Sequence, residues 1–99
     1  MGYKILISPR AQSEIENIAD YYALNSSIAP QLFIAKIKEA YEKLEKNPFY
    51  RIQYKRIRAV KIKRFPYSLY YIINEEKYLV SILSCFHNKR DPQKRPGKK

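Results

Sequence analysis

The stretch Phe65-Pro66-Tyr67-Ser68-Leu69-Tyr70-Tyr71-Ile72-Ile73-Asn74-Glu75-Glu76-Lys77-Tyr78-Leu79-Val80-Ser81-Ile82-Leu83-Ser84-Cys85-Phe86-His87 decides the fold. From Ser68 to Ile73 both alternating sets are apolar or aromatic: Leu69, Tyr71 and Ile73 on one side, Tyr70 and Ile72 on the other. That is the pattern of a strand covered on both faces. Asn74 to Lys77 supplies a turn, and Tyr78 to Phe86 is two-sided again, which predicts a hairpin in the interior of a sheet. Just upstream, Ile57 to Arg64 sets Val60 and Ile62 against Lys61 and Lys63. It reads as a strand with one wet basic face, separated from the next by Phe65-Pro66-Tyr67. The three runs form an antiparallel meander.

Further out, the period changes from two to that of a helix. Phe33, Ile37, Ala40, Tyr41 and Leu44 make one apolar stripe, closed at Asn47-Pro48 because the residue before a proline is pushed out of helical backbone. Ala11, Ile15, Ile18, Ala19 and Tyr22 make another, opened by Ser8 as cap and Pro9 at the first helical position. Asn25-Ser26-Ser27 divides the two helices and offers a cap for the second, with Pro30 tolerable in its first turn. Residues 3–7 are a short strand, and Phe49 to Tyr54 reads as a loop. The expected fold is α+β, in the order βααβββ. Its N-terminal strand and helical hairpin pack on one face of a small, mainly antiparallel sheet.

Ninety-nine residues fit one domain, taken as 1–87, followed by a basic, Pro- and Lys-rich tail over 88–99 that has no periodicity and is expected to be flexible. A hydrophobic fraction of 45% with 14% aromatics excludes a disordered chain. The single cysteine, Cys85, excludes an internal disulfide framework, and no apolar run reaches the length of a membrane span. The expected location is the cytoplasm, with no membrane partner.

The net charge of +11 is unevenly placed. Residues 1–50 carry six bases and six acids, whereas residues 51–99 carry fourteen bases and three acids and hold the whole excess. Arg51, Lys55, Arg56, Arg58, Lys61, Lys63 and Arg64 follow one another with no acid among them, and Tyr67, Tyr70 and Tyr71 come next. Such a half attracts a polyanion or an acidic protein, and the tyrosines are candidates to stack on bases. A binding surface of Arg56, Arg58, Lys61, Lys63, Arg64 and Tyr70, extended by Lys89 and Arg90, is the expectation.

Catalytic signatures are few. Gly2 and Gly97 are the only glycines, so there is no phosphate-cradling loop, and no Cys/His cluster has metal-ligand spacing. No cofactor and no metal are expected. Glu39, Glu42 and Glu45 alternate with Lys36, Lys38, Lys43 and Lys46 and read as a solvated helix face. His87, the sole histidine, ends the last strand beside Lys89 and Arg90. It is the candidate general base for RNA cleavage, with Arg58 as the phosphate-holding partner.

Several stretches resemble the RelE/ParE superfamily of toxins from bacterial type II toxin–antitoxin systems. They are Ile5-Leu6-Ile7-Ser8-Pro9-Arg10-Ala11, Ile18-Ala19-Asp20-Tyr21-Tyr22, Leu44-Glu45-Lys46-Asn47-Pro48, Ile57-Arg58, Phe65 to Tyr71, and Phe86 to Pro92. The resemblance implies a toxin neutralised by a cognate antitoxin whose acidic segment covers the basic surface, in a hetero-oligomer; pairing of the antitoxin with an exposed edge of the last strand, ordering the tail, is a further expectation. It also implies one of two targets. ParE-like members bind DNA gyrase, while RelE-like members are ribosome-dependent endoribonucleases that cut messenger RNA. The nucleases carry an arginine just before the Leu-x-Tyr of the central strand, where this chain has Ser68. The ParE-like, plasmid-stabilisation type is therefore the favoured reading. The ribosome-dependent nuclease is its rival, and a passive nucleic-acid-binding module is the third reading.

Overall fold

The structure, a computed structural model, describes residues 2–88. β1 (Lys4–Ile7) leads into α1 (Pro9–Ala23) and α2 (Ala29–Lys46), followed by β2 (Ile52–Tyr54), β3 (Ile57–Lys61), β4 (Tyr67–Asn74) and β5 (Leu79–His87). The five strands form one sheet in the order β1-β5-β4-β3-β2, with β1 parallel to β5 and the other pairs antiparallel. This is the α+β architecture expected from the sequence. The two-sided runs β4 and β5 lie inside the sheet, and the short strands β1 and β2 are its edges.

The helix boundaries follow from local chemistry. Ser8 Oγ accepts the Ala11 amide at 3.0 Å, and Pro9 sits in the first turn. Ser26 Oγ accepts the amides of Ile28 at 3.1 Å and Ala29 at 3.0 Å, so it caps α2 from two residues before its nominal cap position. Asn47 is extended, at φ −157° and ψ 97°, as a residue before proline must be. The predicted stripes face inward: Ala11 and Ile15 of α1 and Phe33, Ile37, Ala40 and Leu44 of α2 meet Val60, Leu69, Tyr71, Val80 and Ile82 of the sheet. Each large side chain fully buried there contributes roughly 1.5–3 kcal/mol.

Three expectations need correction. Residues 52–54 form β2 inside the stretch read as a loop; a three-residue strand with exposed Ile52 has no amphipathic signal to betray it. The strand read over Ile57–Arg64 stops at Lys61, because the Ile62 amide turns to the Tyr67 carbonyl at 2.9 Å and Arg64 takes the left-handed conformation, φ 72°. Finally, β5 is not an edge. β1 pairs with Leu79–Ile82, and the Ser8 amide donates to the Ile82 carbonyl at 3.0 Å. Next comes a bulge: Tyr71 faces Ile82 and Tyr70 faces Ser84, which leaves Leu83 unpaired, and the Ser8 hydroxyl donates to its carbonyl at 3.0 Å. Beyond it, the Glu14 carboxylate accepts the Cys85 amide at 3.0 Å and the Ser84 hydroxyl at 2.8 Å. An antitoxin strand cannot pair along that stretch without displacing these groups.

Candidate target-binding surface

The exit from α2 organises the most cationic part of the molecule. Pro48 is buried and its carbonyl accepts the Tyr71 hydroxyl at 2.6 Å, which pins the chain as it leaves the core. Phe49 and Tyr50 then emerge at the surface, with Phe49 47% exposed. Arg58 Nη1 donates to the Tyr50 carbonyl at 2.6 Å, and its guanidinium lies 5.3 Å from the centroid of the Phe49 ring. Behind Phe49, the ring of Tyr3 meets it edge-on at 6.0 Å and meets Tyr78 at 5.5 Å. Arg51, Lys55 and Arg56 are exposed on the adjoining β2–β3 ribbon.

This ribbon keeps its charge. Residues 47–74 contain no Asp or Glu. The ion pairs between described residues are Arg10–Glu14 and Lys36–Glu39, both within helices, so no base of residues 51–64 is neutralised by direct contact. Exposed aromatic and aliphatic side chains beside uncompensated cations suit a partner that is anionic and partly apolar.

The bases expected to share one surface are nevertheless spread over several. Arg58 and Lys61 stand at odd spacing on β3 and so face opposite sides of the sheet. Arg56 lines a groove of about 430 Å³ with Ile72, Ile73 and the acidic turn residues Glu75 and Glu76. Lys63 adds to the effect of Lys36 in holding the Glu39 carboxyl of α2 below its usual range. Arg64 sits in the β3–β4 turn. Tyr70 is buried with its ring 6.3 Å from that of Phe86, so it is not offered for stacking. Lys89 and Arg90, with residues 91–99 of the tail, lie outside the described residues. What the sequence reading missed is Phe49, Tyr50 and Ile52, while Arg51 stood in its cationic run but not in its binding surface; the only signal is an aromatic pair directly after a helix-ending proline.

The proposed catalytic pair is not assembled. Arg58 faces Tyr71 across β3–β4, and His87 faces Tyr67 across β4–β5. Four residues along a strand and two strand spacings across separate them, roughly 16 Å in all, and Arg58 is turned to the Tyr50 carbonyl. His87 instead lies 5.1 Å from the Tyr67 ring, in a groove of about 380 Å³ with Glu14, Asn17, Ile18, Cys85 and Phe86. The described lining of this groove has a carboxylate and no Lys or Arg, which is unfavourable for an RNA phosphate. Ser68 is buried and donates to Asn88 Oδ1 at 2.6 Å. Burial pushes the Cys85 thiol up to about 12, with a further rise from Glu14, so this cysteine is no nucleophile. Among the described residues, no three His, Cys, Asp or Glu side chains gather to hold a metal ion, and no helix is long and apolar enough to cross a membrane.

Several solved structures share this fold. The chain superposes on one from the chromosomal ParDE toxin–antitoxin system of P. aeruginosa with a TM-score of 0.72, at 16% identity over 86% of this chain and 95% of that one. Against the toxin–antitoxin complex RelBE2 of Mycobacterium tuberculosis the TM-score is 0.65, with 18% identity over 88% and 99% of the two chains. Against the isolated RelE toxin of E. coli it is 0.55, with 19% identity over 90% and 87%. No curated protein sequence matches. A strand, a helical hairpin and an antiparallel sheet in this arrangement define the fold of the RelE/ParE toxins. Within that class, residues 5–92 match the sequence profile of the ParE toxin of type II toxin–antitoxin systems, parDE, and the chain belongs to this family.

Proposed function

We propose that this toxin arrests growth in the cytoplasm by binding DNA gyrase, not by cutting RNA, and that a cognate antitoxin covers the β2–β3 ribbon with an acidic segment. The observation that carries the reading is the separation of Arg58 from His87, roughly 16 Å by strand geometry, with Arg58 engaged by Tyr50. Cleavage of a phosphodiester needs a base and a phosphate-holding cation within hydrogen-bond reach of one group. The presence of Ser68 where the nucleases carry an arginine supports the same side.

Purified toxin added to gyrase and relaxed plasmid tests it. Supercoiling is expected to stop at saturating toxin and to resume when antitoxin is added. Unchanged supercoiling overturns the reading; new 5′ ends within codons of translated messages then identify the ribosome-dependent nuclease. Salt-sensitive binding to any duplex without growth arrest identifies the passive module instead.

A further inference from the structure

The tip of the helical hairpin carries an apolar patch that neither the core nor the β2–β3 ribbon uses. Tyr21 and Leu24, at the end of α1, are 62% and 77% exposed; Ile28 and Leu32, at the start of α2, are 72% and 36% exposed. Helical spacing sets Tyr21 beside Leu24 and Ile28 beside Leu32, and residues 25–27 join the two pairs. Leu24 is the C-cap of α1, and Ile28 is the N-cap of α2 with no side-chain capping bond. An N-cap favours Ser, Thr, Asn or Asp, and helix ends generally favour Gly or Asn. Here Ser26 meets the amides, so two large apolar residues at the caps contribute nothing to the helices that carry them. The patch is also held rigidly, since Tyr22 behind it packs on Phe33 and Phe65 at 5.9 and 5.2 Å between ring centroids.

Charge decides what covers it. Residues 11–35 contain Glu14, Glu16 and Asp20 and no Lys or Arg, in a chain of net charge +11; the nearest bases of the sheet are Lys63 and Arg64, next to Phe65, which packs behind the patch. An acidic partner is drawn to the cationic ribbon and away from this end, whereas two copies of the chain repel one another least here. We propose that the hairpin tip is a self-association surface, occupied by a second copy of this chain in a twofold contact that sets Tyr21 and Leu24 of one copy on Ile28 and Leu32 of the other. Tip-to-tip docking leaves the cationic ribbons at opposite ends, well beyond the screening length of about 8 Å at physiological salt. The four side chains expose on the order of 500 Å² per copy, taking roughly 200 Å² for a large apolar side chain. A pair therefore covers about 1,000 Å², the lower limit of a specific interface, and the dimer is weak and reversible. The inference is independent of which target the toxin binds.

Sedimentation equilibrium of the full chain, freed of antitoxin, tests it over about 10 to about 500 µM. The mass is expected to rise from 11.9 kDa toward twice that value, and to rise further at high salt, where repulsion is screened. The double variant Leu24→Glu/Ile28→Glu is expected to stay at 11.9 kDa, with unchanged far-UV circular dichroism and Tm. Leu24→Ala/Ile28→Ala, which adds no charge, is expected to weaken the dimer about tenfold. A wild-type chain that remains monomeric at the highest concentration overturns the proposal, as does a dimer that survives in both variants. A monomeric wild type whose antitoxin binding is lost in the Glu variant overturns it too, and assigns the patch to the antitoxin.

Discussion

The Tyr71 hydroxyl, on the central strand β4, donates a 2.6 Å hydrogen bond to the carbonyl of Pro48, two residues past the end of α2. The contact ties the middle of the sheet to the helix exit and sets where Phe49 and Tyr50 leave the core. Tyr71→Phe keeps the ring and removes one of two donors to this carbonyl, which still accepts the Tyr50 amide at 2.9 Å. The expected cost is about 0.5–1.5 kcal/mol, read from urea unfolding. Equal stability of the two proteins would mean that the bond anchors nothing.

Burial pushes the Tyr41 and Tyr71 phenols up to about 12 from the ordinary 10.0, and the Cys85 thiol up to about 12 from 9.0. Above the ordinary value the unfolded chain releases each proton while the folded chain keeps it. The stability each group adds is therefore complete below pH 9 for Cys85 and pH 10 for the tyrosines, and drains away as the pH rises toward 12. Denaturation midpoints measured across this range are expected to fall from about pH 9 upward. Cys85→Ala should delay the onset by about one pH unit.

Glu14 closes the part of the β5 edge that β1 does not reach, accepting from the Cys85 amide and the Ser84 hydroxyl and holding Arg10 at 3.3 Å. Glu14→Ala is expected to cost about 1.5–3 kcal/mol, since hydrogen bonds to a charged group are the stronger kind. Amide exchange at Cys85 should rise with it. Protection at Cys85 that is unaltered in the variant would contradict this role.

Arg64 holds φ at 72° in the β3–β4 turn, a conformation that costs a side chain and suits glycine. Arg64→Gly is expected to raise stability by about 0.5–1 kcal/mol, seen as a higher Tm. Tyr78 shares the conformation, at φ 51°, but its ring packs on Tyr3, so Tyr78→Gly should lower the Tm instead.

In the supercoiling assay, Arg58→Ala frees the Tyr50 carbonyl and uncovers Phe49. Inhibition of gyrase is expected to weaken about tenfold. His87→Ala, at the far end of the sheet, should leave it within about twofold. The reverse ranking would place the working site in the His87 groove.

Much of the fold was legible because its signals are local or periodic. The stripes from Ala11 to Tyr22 and from Phe33 to Leu44 need only helical spacing, and Ser8-Pro9 and Asn47-Pro48 mark boundaries by backbone sterics alone. The two-sided runs of β4 and β5 announced interior strands. β2 was not legible, since three residues with one neighbour carry no pattern, and Arg64 in a turn gives no glycine or asparagine to read. The candidate site was legible only as composition. A run of cations without acids is visible in the chain, but the direction of each side chain depends on register, and a shift of one residue reverses it.

Composition and periodicity thus set every element but β2, the charge asymmetry between the two halves and the class of architecture, since these depend on neighbours within a few residues. Tertiary structure alone decided that Arg58 lies over Phe49 and far from His87, that Tyr70 is packed against Phe86, and that Glu14 and Ser8 seal the β5 edge. Each of these relations joins residues distant in sequence or on different strands, and pairing register and packing bring them together or keep them apart.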